Sequence, residues 1–139
     1  EKLGADLINA MSARLRIPND CRDLGVIVSL HHTRCHRAMT HLAPDLYTTL
    51  ELTDALRRPE RFEQFLLACE ADARGRLGLE QQPYPQADLL RKVLDIAKAV
   101  PVQEVVNNCK NKQDIGLAIQ QARISAIAST DLTNHDQPD

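Results

Sequence analysis

Four histidines fall within eleven residues: His31, His32, His36 and His41. His32 and His36 stand four apart, so on a helix they share a face with Cβ atoms about 5–6 Å apart. A divalent cation accepts imidazoles at that spacing, but a full site takes three or four ligands. Asp54 supplies a carboxylate if the second and third helices pack antiparallel. The same histidines also suit a helix end, where an imidazolium complements the dipole. Spacing alone leaves both readings open.

Arginines form the second constellation. Arg57, Arg58 and Arg61 cluster at a helix junction, and Arg74 and Arg76 flank Gly75. Guanidinium forks bind phosphate bidentately, and a glycine between two of them lets a backbone come close. Local pairing is the other reading, since Arg57–Glu60 and Glu70–Arg74 have i,i+3 and i,i+4 spacing. There is no glycine-rich nucleotide loop, no nucleophile–base pair and no carboxylate pair for phosphoryl transfer.

Elements that could position these groups are helical almost throughout. The expected class is all-α, an irregular bundle of about six to seven helices. The first runs to about Arg16 with Leu3, Leu7, Met11 and Leu15 in series. Pro18 or Asn19 opens the second, with Leu24, Ile27, Val28, His31 and Cys35 on one face. The third starts at Pro44 or Asp45 and runs to Arg57–Arg58. Pro59 opens the fourth, which carries Phe62, Phe65, Leu66 and Cys69 and is stopped by Gly75 and Gly78. A loop over 79–85 leads to a fifth helix over 86–99. A short sixth segment follows Pro101, and the last helix covers 112–129. The tail over 131–139 reads as polar and flexible.

The chain has 139 residues, 43% of them hydrophobic, only 3% aromatic and none of them Trp, so its core must be aliphatic. The net charge of −2 excludes a global electrostatic footprint for nucleic acid, so any RNA contact must be a local basic patch. No apolar run approaches a membrane span. Cys21, Cys35, Cys69 and Cys109 form no CxxC pair. They read as reduced, packed thiols in a cytoplasmic protein. An amphipathic series already running at Leu3 suggests an excised fragment; removal of a leader before a short helix is the alternative.

Two blocks then carry a family resemblance. Arg57-Arg58-Pro59-Glu60-Arg61-Phe62-Glu63-Gln64 and Ala68-Cys69-Glu70-Ala71-Asp72-Ala73-Arg74-Gly75-Arg76, followed by Tyr84-Pro85-Gln86, resemble the C-terminal region of bacterial multifunctional CCA proteins. These are tRNA nucleotidyltransferases with an HD domain. Arg14 to Leu24 and Arg123 to Ala128 fit the same region. The resemblance implies a parent enzyme that builds or repairs the tRNA 3′ CCA end from CTP and ATP with magnesium. It also implies an HD phosphohydrolase that uses nickel or another divalent metal.

On this resemblance, residues 1–75 are the later part of the HD-type domain and 76–130 a C-terminal helical region. The nucleotidyl-transfer site and the His-Asp doublet would lie upstream of Glu1, leaving no catalytic residue here. His32 matches a family histidine that some members follow with Asp, where this chain has Thr33. Asp54 matches an aspartate before the Arg-Arg-Pro motif, so the implied metal ligands are His32 and Asp54. The implied RNA-binding residues are Arg57, Arg58, Arg74 and Arg76. A helical module for tRNA docking, or for homodimerisation through apolar surface that a truncated HD domain exposes, is the competing function.

Overall fold

Helix α1 (Lys2–Leu15) ends at Arg16, whose φ of 51° turns the chain back so that Ile17 N–H bonds the Ser12 carbonyl at 3.0 Å. This is seen in a computed structural model that describes residues 2–132. The residues 133–139 of the expected tail lie outside it. Leu3, Leu7, Met11 and Leu15 form an exposed stripe. α1 packs instead through Ala5 and Ser12, both buried, against α2 (Asn19–His36). A Cβ on Gly4 would collide with Ser29 Oγ, and one on Gly25 would sit 3.5 Å from Ile8 Cγ2. Small residues bring these two helices closer than leucines could, which is why the larger apolar stripe faces away.

A 3-10 turn over Ala38–Thr40 leads to α3 (Ala43–Leu52). That helix stops well before the arginines expected to end it. Thr53 Oγ1 donates to the Thr49 carbonyl at 2.7 Å, Asp54 adopts φ 55°, and Ala55 N–H bonds back to the Leu50 carbonyl at 2.9 Å. Asp is among the few residues that enter the left-handed region without severe strain. The reversal brings Pro59 to the first position of α4 (Pro59–Arg74). Helix α5 (Pro85–Ala99) also begins on its proline. Beyond it lie α6 (Val102–Asn108), a 3-10 turn over Lys112–Asp114 and α7 (Ile115–Ser129). The described residues contain no strand.

Phe62, Phe65, Leu66 and Cys69 of α4 are buried as the spacing predicts, and so are Leu89, Leu90, Val93, Leu94 and Ala97 of α5. They join Leu46, Tyr47 and Leu50 of α3 and Ile127 of α7 in one cluster. The division expected at residue 75 therefore passes through a shared core. α2 packs on both α1 and α4, while α7 packs on α3, α5 and α6.

One ion pair joins the two central helices at the rim. Arg91 on α5 donates from Nε to Glu63 Oε2 on α4 at 3.0 Å and from Nη1 to Asp88 Oδ1 at 2.8 Å. The bond from Arg91 holds the Glu63 carboxyl below its ordinary 4.5. A carboxyl depressed in the folded state adds stability above its unfolded pKa and loses it as pH falls through the lower folded value. The Glu63 side chain is 45% exposed, so solvent screening keeps the gain modest. Thermal melts of the chain and of Glu63→Gln should differ at neutral pH and converge in strong acid. A gap that is constant with pH would contradict this.

Candidate functional site

Three chain segments meet at the C-terminal end of α2. His36, in its last turn, donates from Nε2 to Asp72 Oδ2 on α4 at 2.9 Å. Its Nδ1 is hydrogen-bonded to the Tyr84 hydroxyl just before α5 at 2.8 Å. That hydroxyl lies 3.4 Å from Cys35 Sγ, to which it donates. Gln86 closes the junction from α5, its Nε2 donating to the His36 carbonyl at 3.3 Å. Arg74 at the end of α4 bonds Glu70 at 2.7 Å through Nη1 and the Gln82 carbonyl at 3.1 Å through Nε.

On the buried side of this junction the hydrogen bond with Cys69 lowers the Cys35 thiol, while Tyr84 and Cys69 are held protonated. Burial, followed by the hydrogen bond to Cys35, pushes the Tyr84 phenol well above its ordinary range. The hydrogen bond with Cys35, followed by burial, likewise raises the Cys69 thiol. A neutral phenol is the form that can donate to sulfur. The polar side opens into a cavity of about 280 Å³ lined by His36, Arg74, Arg76, Gln82, Tyr84 and Gln86 among others. Among the described residues, no carboxylate lines it. Glu70 is taken by Arg74 and Asp72 by His36. Arg76 is exposed and has no ion-pair partner among the described residues. A cavity in which one guanidinium, Arg76, stands without an acidic partner beside Arg74 favours an anion of nucleotide size or smaller.

The structure brings Arg74 and Arg76 together at this cavity. Arg57 and Arg58 sit at the other end of α4, where they and Arg61 surround Asp54. His32 and His36 are neighbours, with rings 5.7 Å apart and edge-on. They are not a ligand pair, because both His36 nitrogens are engaged and His32 Nδ1–H donates to the Val28 carbonyl at 2.9 Å.

Asp54 lies beyond the end of α3, among Arg57, Arg58 and Arg61. Arg34, near the end of α2, donates to the Asp45 carbonyl at 3.0 Å and so fixes the start of α3 there. α3 then runs for ten residues, about 15 Å along its axis, before the turn that holds Asp54. Three guanidiniums around Asp54 disfavour a cation further. Among the described residues, no group of three His, Cys, Asp or Glu could hold a metal ion. The expected pair, His32 with Asp54, supplies two ligands, fewer than a closed metal site takes.

Asp72, Tyr84, Gln86 and Cys35 were not among the expected site residues. Asp72, Tyr84 and Gln86 belong to the two family-like blocks, and His36 to the histidine cluster. Their pairing spans 36 to 50 residues and has no local signal.

Comparison with known proteins gives this junction a context. The chain is 47% identical over 127 residues to a protein of Hahella chejuensis named multifunctional CCA protein, covering 91% of this chain and 30% of that protein. Proteins of the same name from Burkholderia multivorans and Pseudomonas fluorescens are 46% and 42% identical over 92% and 91% of the chain. The chain is a homologue of the multifunctional CCA proteins. It spans less than a third of the length of these relatives and corresponds to their C-terminal portion. No family model and no solved structure matches it. The expected all-α class is the one observed. No helix of the described residues is long and apolar enough to cross a membrane.

Proposed function

We propose that the chain is the C-terminal helical part of a CCA-adding tRNA nucleotidyltransferase and that it docks tRNA at the Arg74–Arg76 cavity. Nucleotidyl transfer from CTP and ATP with magnesium then belongs to the rest of such an enzyme. So does the His-Asp doublet of an HD phosphohydrolase using nickel or another divalent metal. The kinship to proteins named for CCA supports the tRNA substrate. The observation that carries the docking role is the cavity itself, which Arg74 and Arg76 both line and where Arg76 has no ion-pair partner among the described residues.

Backbone phosphates are the chemistry those arginines suit, and binding through them is salt-dependent because counterions are released. Replacing Arg74 and Arg76 by alanine should weaken tRNA binding by about tenfold or more and lower the salt slope by about one for each arginine removed. Arg74 also braces the junction through Glu70 and Gln82, so Arg76→Ala alone is the cleaner variant. It should weaken binding without moving the melting temperature. Equal tRNA affinity of the chain and Arg76→Ala across a salt titration would overturn the docking role.

A further inference from the structure

We propose that Arg57, Arg58 and Arg61 form a second, separate phosphate-binding pocket in which Asp54 is the internal anion that a bound phosphate competes with. The three arginines approach one carboxylate at 3.8, 3.8 and 3.7 Å. Charge-assisted N–H···O bonds are about 2.7–2.9 Å long, so none of these is a closed hydrogen bond. The donors are assembled by charge yet not consumed by it.

Arg57 and Arg58 side chains are 80% and 51% exposed, whereas that of Arg61 is 17% exposed and tied to the Thr53 carbonyl at 3.3 Å. Arg61 Nε is buried with no hydrogen-bond partner. A buried donor left open calls for an explanation, and a bound anion supplies one.

These arginines line a cavity of about 450 Å³ together with Pro59, Asp20, Glu60 and Gln64. Helix α4 starts there on Pro59 with no side-chain cap, so its positive end adds to the guanidinium field. Asp20 and Glu60 oppose it. Both are exposed, and neither forms an ion pair among the described residues, so they lower affinity at the rim without occupying the donors. Asp54, Asp20 and Glu60 together match the three guanidiniums in number, so the pull on a phosphate group comes from the unclosed inner donors and not from a net charge.

The sign of one substitution separates this reading from its rivals. Asp54→Asn removes the competing charge, and asparagine accepts the φ of 55° at that position. Phosphate affinity should rise, whereas Asp54 as a metal ligand predicts no gain.

The test is titration of the chain with inorganic phosphate by calorimetry, with a circular-dichroism melt for each variant. Arg57→Gln with Arg58→Gln should weaken phosphate binding by roughly tenfold. Asp54→Asn should tighten it by roughly threefold or more, and Glu60→Gln, on the exposed rim, should act in the same direction without touching the turn. No binding at millimolar phosphate, or binding unchanged in the double arginine variant, would overturn the pocket. Unchanged or weaker binding in both Asp54→Asn and Glu60→Gln would overturn the role of the carboxylates.

The pocket stands apart from the tRNA-docking role, and competition tells the two phosphate sources apart. tRNA that displaces phosphate identifies an RNA backbone as the ligand. Phosphate binding that tRNA leaves intact overturns the backbone as its source and assigns the pocket to free phosphate esters.

Discussion

Phe65→Ala should cost about 3–5 kcal/mol, the usual loss for truncating a buried aromatic. Phe65 has no exposure and stacks on Phe62 with ring centroids 6.0 Å apart and planes 20° apart. It belongs to the core that α3, α5 and α7 share with α4, and it is one of only two phenylalanines in a core otherwise built mostly from smaller side chains. Aliphatic neighbours fixed on four helices cannot readily collapse into the space it leaves. Domains of this size are stable by about 5–15 kcal/mol, so the loss is a large share of the total. Leu67 is the internal control: it lies on the same helix but is 53% exposed. Leu67→Ala should fall within about 0.5 kcal/mol of the parent. Urea unfolding of the three proteins checks both values, and equal midpoints for Phe65→Ala and Leu67→Ala would contradict the core assignment.

Removing the His36 side chain should have the largest effect at the site. The ring joins Asp72 of α4 to Tyr84 at the start of α5, and its loss leaves Asp72 unpaired and the Tyr84 hydroxyl with Cys35 alone. Breaking part-buried hydrogen bonds and stranding their partners costs about 1–3 kcal/mol. The consequence for binding is larger than that figure suggests. Arg74 is held to the Gln82 carbonyl in the segment that leads to Tyr84, so loosening Tyr84 frees one wall of the cavity. His36→Ala should therefore weaken tRNA binding even though His36 acts by positioning. His36→Gln, which keeps an N–H donor for Asp72, should recover part of the affinity. Unchanged affinity in His36→Ala, with the fold intact, would show that the junction does not shape the cavity.

Where local pattern decides the structure, the sequence was readable. α4 and α5 each open on a proline and repeat apolar residues at helical spacing, and both bury the expected side chains. Local pattern failed where a closer contact outweighed it. In α1 the more apolar stripe is exposed because Gly4 and Gly25 let the small-residue faces meet. After α3, Thr53 and Asp54 end the helix by hydrogen bonding and a left-handed turn, in a stretch whose composition reads as continuing helix. Arg74 and Arg76 were legible as an arginine–glycine–arginine unit, and they line one cavity. The His36–Asp72–Tyr84 link was not, because its partners meet only through packing of α2, α4 and α5. Asp54, read as a metal ligand from the family pattern, sits in the turn after α3 among three guanidiniums, a setting that no local pattern announces.

The most direct measurement is a titration of isotopically labelled chain with tRNA, followed by backbone amide and arginine side-chain resonances. If the junction is the docking site, the earliest and largest shifts fall on His36, on residues 74–86 and on the Arg76 guanidinium, and they fade as salt rises. Shifts confined to α6 and α7, or none at a tRNA concentration that saturates the chain, would contradict it.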